Sequence, residues 1–270
     1  MKPIEVARGF GSILREFPAH PVSVARALPG ELRQQYKKSP WTESDFDDDW
    51  YEHLHDLLHA PWPCPEAQQV HDLLADIGAL LTSKGLGTGR HTYGWYSDAD
   101  IELCSAMWCA ARHTRPATVI ETGVAHGVSS RVVLEALIRN DKGHLWSIDL
   151  PHPFHHELHG QTGVAVTDSC RPRWTYLAGE SRRQLPPLVT EVGKVELFIH
   201  DSLHTAKNTL FEMEQAASIM PPGGIMLVDD IRSHEGFAIF ARRHPEFKTL
   251  LCSTADHVAG FGIAVYAETA

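Results

Sequence analysis

The sequence predicts an α/β protein with a doubly wound, mostly parallel sheet of seven strands, an antiparallel last strand and a helical N-terminal extension. From residue 117 onward, short apolar runs alternate with amphipathic stretches of helical period. That alternation is typical of parallel strands joined by helices that cover both faces of one sheet. The 270 residues are also enough to bury a core of that size without disulfides or a structural metal.

Seven apolar runs are the predicted strands, at 117–121, 144–149, 174–178, 195–200, 224–229, 247–252 and 260–266. Between them, helices are predicted at 128–140, 181–192, 205–220 and 233–243. Pro186 and Pro187 are expected to break the second of these helices, because proline cannot donate the backbone hydrogen bond of a helix interior. Only residues 253–259 separate the last two strands, and so short a loop predicts an antiparallel pair.

The region before residue 90 has a different pattern, rich in proline and glycine and without strand-like runs. Apolar spacing there predicts helices over 51–59 and 66–81, and a further helix at 100–112 leads into the sheet. We therefore predict a helical region at 1–90 and a main domain at 91–270.

Aromatic residues of the N-terminal region bear on oligomeric state. Trp41, Trp50 and Trp62 could pack against a second subunit or cover the sheet of their own chain. The sequence alone does not choose between these arrangements, so it leaves a homo-oligomer open.

Composition excludes several kinds of partner. The chain carries 24 basic and 34 acidic side chains, a net charge of −10, so no nucleic-acid partner is expected. No apolar run reaches the roughly 18 residues of a membrane span, so no membrane partner is expected either. The five cysteines show no zinc-ligand spacing and the N-terminus has no signal-peptide pattern, which predicts reduced thiols in the cytoplasm.

The turn after the first strand is the first candidate binding element. It reads Glu-Thr-Gly-x-x-x-Gly-x-Ser-Ser, from Glu121 through Gly123 and Gly127 to Ser129 and Ser130. Glycines allow a tight turn and a close approach of backbone to a ligand, and the N-terminus of the helix that follows favours an anion. The simpler interpretation is a turn in which one of the two serines caps the helix.

Polar residues also end the second and third strands. Asp149 ends the second strand, where a carboxylate can accept hydrogen bonds from both ribose hydroxyls of a nucleoside. The third strand is followed by Gly179, Glu180 and Ser181. These residues lie at the edge of the sheet where doubly wound folds bind their ligands.

The strongest chemical signal follows the fourth and fifth strands. Asp201 and His204 follow the fourth strand, and Asp229 and Asp230 follow the fifth. Carboxylates gathered at the mouth of an apolar sheet repel one another, and a hard divalent cation such as Mg²⁺ offsets that cost. The alternative is that Asp201 faces only the cofactor while Asp229 and Asp230 cap the next helix.

This ordered set, together with the Pro-Pro-Gly-Gly turn at 221–224, resembles the class I S-adenosylmethionine-dependent methyltransferases, whose fold is Rossmann-like. Within them it is similar to the cation-dependent O-methyltransferases of the catechol type. It is closer still to sugar and antibiotic O-methyltransferases, which pair an Asp…His motif with a later Asp-Asp. The resemblance covers residues 117–266 and leaves 1–90 unmatched.

The resemblance implies a role for each motif residue. Gly123 and Gly127 would line the methionine part of S-adenosyl-L-methionine, and Ser129 would hold its carboxylate. Asp149 would bind the ribose and Ser181 would lie beside the adenine. Glu121 and Asp201 are also assigned to the cofactor site. Asp201, Asp229 and Asp230 would bind Mg²⁺.

Two departures from the catechol type accompany the proposed chemistry. His204 stands where those enzymes have a lysine base, and Asp230 stands where they have Asn; both match the sugar type better. A hydroxyl is a poor methyl acceptor at neutral pH, so a metal that polarises it and an imidazole that takes its proton suit the reaction. The expected partner is a small hydroxylated molecule, with His204 as the catalytic base.

Other interpretations stay open at this point. The histidines at 152–159 match no metal-binding motif and indicate a lid or surface loop, and residues 91–97 could close over a ligand or pack in the core. Metal-independent transfer to nitrogen and a non-catalytic nucleoside-binding module remain alternatives. A nicotinamide-dependent reductase is disfavoured, because it predicts a glycine at position 125 or 129, where this chain has Ala125 and Ser129, and because no Tyr-x-x-x-Lys pair is present.

Overall fold

The computed structural model of the chain describes residues 39–89, 91–94, 96–150, 152, 155–255 and 259–267. Within these residues seven strands form one sheet. They are β1 Thr118–Thr122, β2 His144–Asp149, β3 Trp174–Ala178, β4 Leu197–His200, β5 Ile225–Val228, β6 Phe247–Ser253 and β7 Gly260–Tyr266. The strand order is β3-β2-β1-β4-β5-β7-β6.

Strand direction confirms the predicted fold class. Strands β1 to β5 pair in parallel, while β7 lies between β5 and β6 and is antiparallel to both. The two central strands β4 and β5 are buried along their whole length, as apolar strands covered on both faces must be.

The described α-helices are α1 Trp50–Leu57, α2 Ala67–Ser83, α3 Ile101–Thr114, α4 Val128–Arg139, α5 Ser181–Val192, α6 Ala206–Ala217 and α7 Gly236–Arg243. Their positions follow the sequence prediction, although α6 and α7 are shorter than predicted. Among them, none has both the length and the apolar character that crossing a bilayer requires.

The predicted break in α5 is wrong, because the helix continues through Pro186 and Pro187. Each proline removes one intrahelical hydrogen bond, and the carbonyls left without a donor belong to Arg182 and Arg183, which are exposed to water. The apolar face of the same helix, which includes Leu185, is buried in the core below the sheet. Tertiary packing therefore outweighs the local cost of the two prolines.

The N-terminal helices pack against the sheet. Leu54 of α1 and Ile77 of α2 belong to the same buried cluster as Val119 of β1 and Ile263 of β7. The part of the N-terminal region that is described therefore shares its core with the sheet. The predicted division at residue 90 stays a prediction, and residues 1–38 of that region lie outside the described residues.

Two of the three tryptophans pack within their own chain, one on the sheet and one on α7. The Trp50 ring is buried and lies 5.0 Å from the ring of Phe261 on β7. Trp41 lies 5.8 Å from the ring of Phe237 on α7. Trp62 is 43% exposed and contacts Tyr51 and His55 of α1. Whether the chain forms an oligomer stays open.

Candidate active site

The site lies where the order of the strands reverses. β1 pairs with β2 on one side and with β4 on the other, and all three run in the same direction. The loops that leave their carboxyl ends diverge to opposite faces of the sheet and open a crevice, which is the usual ligand position in this class of fold. The turn after β1 and the residues after β4 meet at this point.

The turn after β1 depends on its two glycines. Gly123 has φ +92°, and a Cβ added there would lie 1.9 Å from the carbonyl oxygen of Asp201. Gly127 has φ +84° and is the N-cap of α4, so neither Ser129 nor Ser130 caps the helix. The glycine turn is therefore in direct contact with the backbone at the end of β4.

Asp149 shapes the same turn. The backbone N–H groups of Val124 and Ala125 donate to its Oδ2, at 3.1 and 3.0 Å. Burial raises the pKa of Asp149 to about 6, although these backbone donors oppose the rise. The carboxylate at the end of β2 thus holds the turn after β1 in place. Beside it, the Leu150 side chain is 47% exposed and leaves an apolar surface next to the carboxylate.

Glu121 is fully buried below the turn and accepts hydrogen bonds from three hydroxyls. They come from Ser129 at 2.6 Å, Ser130 at 2.5 Å and Ser147 at 2.7 Å. The hydroxyl of Ser129 is therefore directed at Glu121, and the groups that the start of α4 can offer to an anion are its first backbone N–H groups. The role of Ser129 toward the cofactor carboxylate stays a prediction.

Burial raises the pKa of Glu121 to about 7 from its ordinary 4.5, because three neutral hydroxyls compensate only part of the lost hydration. The unfolded chain loses this proton first, so folding stability falls as pH rises between 4.5 and about 7. The shift corresponds to about 3 kcal/mol.

We expect Glu121→Gln to remove this part of the pH dependence, as measured by urea unfolding across that range. The exposed Glu191→Gln is the control, and an identical pH profile for all three proteins would contradict the assignment.

The predicted acidic residues converge around His204. Its Nε2 lies 3.4 Å from Asp201 Oδ1 and 3.7 Å from Asp229 Oδ2, and its Nδ1 lies 3.3 Å from Asp230 Oδ2. Asp201 and Asp229 follow the neighbouring strands β4 and β5, as their spacing of one strand-helix-strand unit predicts. Asp229 and Asp230 do not cap α7, because that helix begins at Gly236 with Glu235 as its N-cap.

Charge is distributed unevenly in this cluster. Burial and the neighbouring Asp201 raise the pKa of Asp229 well above its ordinary value. Burial disfavours the charged imidazolium of His204, but the surrounding carboxylates outweigh it and raise its pKa well above 6.5. Burial also opposes ionisation of Asp230, yet His204 lowers its pKa. In the structure itself, His204 thus supplies the positive charge that the carboxylates need.

The same residues fit a divalent cation. Ligand atoms of Asp201, His204 and Asp229 all lie within 4.8 Å of one another. The buried Nε2 of His204 has no hydrogen-bond partner within the described part of the chain, although it is directed at the two carboxylates. Carboxylate oxygens are the ligands that Mg²⁺ prefers. Asp230 is not a member of this three-residue group, so its role as a ligand stays a prediction.

A buried network behind the cluster was not predicted from the sequence. Its centre is Glu212 of α6, which is fully buried and accepts hydrogen bonds from Thr122 Oγ1 at 2.6 Å, His200 Nδ1 at 2.6 Å, Asn208 Nδ2 at 2.7 Å and Ser202 Oγ at 2.8 Å. Burial would raise its pKa, but His200 and the other donors outweigh burial and lower the pKa to about 2. The network therefore ties β1, β4 and α6 together beneath Asp201.

The hydrogen-bond geometry fixes the proton position of one histidine in this network. The Gly236 N–H donates to Nδ1 of His234 at 3.1 Å, so the proton of that neutral ring is on Nε2, which faces Thr209 Oγ1 at 3.2 Å. The Thr209 hydroxyl lies 2.8 Å from His200 Nε2, and His200 Nδ1 donates to the carboxylate of Glu212. His200 is thus an orienting residue. Ser181 at the start of α5 also contributes a hydrogen bond to Glu212, and its role beside the adenine stays a prediction.

Two segments that the sequence left undecided pack over the glycine turn. Tyr93 is buried, with its ring 5.2 Å from that of His126 in the turn and 6.0 Å from that of His152. Its hydroxyl lies 2.6 Å from Thr162 Oγ1. The region at 91–97 therefore covers the turn, as far as its residues are described, and the segment that begins at 152 packs onto it.

Beneath this cover, two buried polar atoms have no hydrogen bond within the described residues. They are Asp98 Oδ1 and His126 Nδ1, which face each other at 3.4 Å. Buried polar atoms normally have a hydrogen-bond partner, and these two have only each other, as an ion pair next to the glycine turn, so both could also receive a polar group of a ligand. The turn, Asp149 and this pair together fit a charged, hydroxyl-bearing cofactor.

Comparison with known proteins relates part of this architecture to a family. Residues 120–231 match the sequence profile of a family described as a methyltransferase domain. Among curated proteins the chain has no significant sequence match. In solved structures, the O-methyltransferase TomG from Streptomyces achromogenes, involved in tomaymycin synthesis and solved with SAM, has a similar fold, with a TM-score of 0.54 and 13% identity over 82% of this chain and 97% of that one.

Two further structures have comparable similarity. The O-methyltransferase from Bacillus cereus in complex with SAH has a TM-score of 0.53 and 12% identity over 81% of this chain and 97% of that one. A SAH-bound methyltransferase from Podospora anserina has a TM-score of 0.53 and 14% identity over 77% and 98% of the two chains. At these identities the structures establish the fold that this chain shares with them.

Proposed function

We propose that this chain is an S-adenosylmethionine-dependent methyltransferase, and specifically a Mg²⁺-dependent O-methyltransferase. The match of residues 120–231 to a methyltransferase-domain profile supports the first part of this proposal. The acceptor would be a hydroxyl group of a small molecule, of the sugar, phenol or natural-product type. The five cysteines, all free, support a cytoplasmic location.

One observation carries the proposal. The acid cluster and the glycine turn are in contact, because Gly123 has room for only a hydrogen atom against the carbonyl of Asp201. A methyl donor held by the turn would therefore lie beside the carboxylate that begins the cluster. Such proximity is what a transfer reaction requires, since aligned reactants account for much of its rate.

The cofactor would be held by Gly123, Gly127 and Asp149, with Asp98 and His126 available to a polar group. When bound, S-adenosylmethionine supplies an electrophilic methyl group on its sulfonium. The apolar surface of Leu150 and the cover formed by Tyr93 would exclude water from that side of the site.

The acceptor would be activated by the cluster around His204. When held by Asp201 and Asp229, Mg²⁺ lowers the cost of deprotonating a hydroxyl. With the ion compensating the carboxylates, they would no longer hold His204 protonated, and its Nε2, which is directed at Asp201 and Asp229, would be able to take the acceptor proton. Asp230, at Nδ1 of the same ring, would hold the imidazole in orientation and stabilise its protonated form.

The test is methyl transfer from labelled S-adenosylmethionine to a panel of catechols, sugar hydroxyls and amines. With Mg²⁺ withdrawn by a chelator we expect activity to disappear, and with Mg²⁺ restored we expect it to return. Asp229→Asn should lower kcat by about 10²-fold or more, because a lost charge ligand removes several kcal/mol of stabilisation. The exposed Asp168→Asn is the control.

Other results would favour a different function. The positive charge of His204 can offset the negative charge of the carboxylates without a metal ion. A metal-independent methyl transfer is therefore the second candidate. Activity that survives both the chelator and Asp229→Asn, above all on amines, would establish that version and reject the Mg²⁺-dependent one. No measurable affinity for S-adenosylmethionine would reject both and favour a non-catalytic module.

A further inference from the structure

A second cluster of metal-binding side chains lies outside the candidate active site, between the N-terminal helices and α3. It consists of His55, Cys64, Cys109 and His113, whose ligand atoms all lie within 4.8 Å of one another. His55 and Cys109 are fully buried, while Cys64 and His113 are half-buried. None of the four is among the residues assigned to methyl transfer.

The sulfur–nitrogen distances in this cluster are close to those of a tetrahedral site, and the two sulfurs lie about 0.5 Å closer than in one. Cys64 Sγ lies 3.3 Å from Cys109 Sγ and 3.7 Å from His113 Nε2, and Cys109 Sγ lies 3.7 Å from His55 Nε2. Bond lengths of zinc to sulfur and to nitrogen place ligands of a tetrahedral ion about 3.8 Å apart for two sulfurs and about 3.5 Å apart for sulfur and nitrogen. Two sulfurs and two imidazole nitrogens are a donor set of structural zinc sites.

The surroundings orient these ligands. His55 Nδ1 lies 2.7 Å from the carbonyl oxygen of Tyr51, which can only accept, so the proton is on Nδ1 and the lone pair of Nε2 faces Cys109. The hydroxyl of Tyr51 lies 3.2 Å from Cys109 Sγ. A hydrogen bond on the second ring nitrogen is the usual support of a metal-binding histidine.

We propose that His55, Cys64, Cys109 and His113 bind one structural Zn²⁺. Cys109 and His113 lie one turn apart on α3, His55 is on α1, and Cys64 is in the segment between α1 and α2. The ion would thereby attach α1 and the segment after it to the helix that leads into the sheet. All four positions have protein ligands, so the site is closed to substrate and serves stability.

The test is the metal content of the full-length protein, purified under reducing conditions and measured by plasma emission spectroscopy. We expect one zinc per chain in the wild type, and Cys64→Ser and His113→Ala should each lose most of it. The control is Cys104→Ala, which removes another buried thiol of α3 and should keep the zinc. Replacement by Co²⁺ should give the visible bands of a tetrahedral ion and a thiolate-to-cobalt charge-transfer band.

Three results would overturn the proposal. In the first, the wild-type protein neither retains zinc nor acquires it from added Zn²⁺. In the second, the Cys64→Ser and His113→Ala variants keep the metal. In the third, intact-mass spectra of protein purified without reductant and never exposed to chelator show a Cys64–Cys109 disulfide. The outcome is independent of methyl transfer, because Asp229→Asn should retain its zinc and Cys64→Ser should retain its response to Mg²⁺.

Discussion

His204→Ala is expected to lower kcat by about 10²- to 10⁴-fold, the usual contribution of a positioned base, while the affinity for S-adenosylmethionine stays within a few-fold of the wild type. The reason is the position of the ring among Asp201, Asp229 and Asp230, at 3.3 to 3.7 Å from each. No other imidazole of the described residues contacts these three carboxylates together. Steady-state kinetics and a binding titration measure the two quantities separately.

The control and the rescue distinguish proton transfer from a structural role. His71→Ala removes an exposed histidine on α2 and should leave kcat unchanged. Added imidazole should restore part of the activity of His204→Ala, because the free base can enter the space left by the ring. If imidazole restores nothing and Asp229→Asn restores stability to the variant, His204 serves only to neutralise the acids.

Gly123→Ala has the second largest expected effect, on both folding and cofactor binding. A Cβ at this position would lie 1.9 Å from the carbonyl oxygen of Asp201, and φ is +92°, where an alanine is strained. The turn must therefore move away from β4, which separates the donor site from the acid cluster. We expect at least about a tenfold loss of S-adenosylmethionine affinity, and a stability loss above the 1–2 kcal/mol or so that positive φ alone costs.

Gly85→Ala is the matched control, because it isolates the cost of the backbone conformation. Gly85 has φ +74°, and an added Cβ there would meet nothing within 4 Å. Its variant should lose about 1–2 kcal/mol of stability and no cofactor affinity. Equal losses of stability for the two variants, with cofactor binding intact in both, would show that the contact between the turn and Asp201 is unimportant.

The sequence was most informative where local pattern decides structure. The strands and helices follow from hydrophobic period, and the meeting of Asp201 with Asp229 follows because each ends one of two neighbouring parallel strands. The carboxyl ends of parallel strands all lie at the same edge of the sheet. Acidic residues that follow such strands can therefore be assigned to that edge before a structure is known.

Contacts made between distant segments could not be predicted in the same way. Glu212 lies in the middle of α6, where a glutamate is usually exposed. The only signal for a polar network was the helical spacing of Asn208, Thr209 and Glu212, which places them on one face of α6, and that face is buried. The Cys64–Cys109 pair depends on how α1 packs against α3. The spacing of residues in the sequence does not predict that packing. In α5 a local signal was misleading: the two prolines predict a break in the helix, but packing of its apolar face against the core keeps it continuous.

The central claim is that Asp201 and Asp229 hold a divalent ion beside the methyl donor. The direct measurement is a crystal structure of the protein grown with S-adenosylhomocysteine and Mn²⁺ in place of Mg²⁺, with an anomalous difference map. We predict one peak in contact with Asp201 Oδ1 and Asp229 Oδ2, and the cofactor along the Gly123 turn with its ribose at Asp149. A bound cofactor with no anomalous peak at these carboxylates, and with His204 still between them, would contradict the claim.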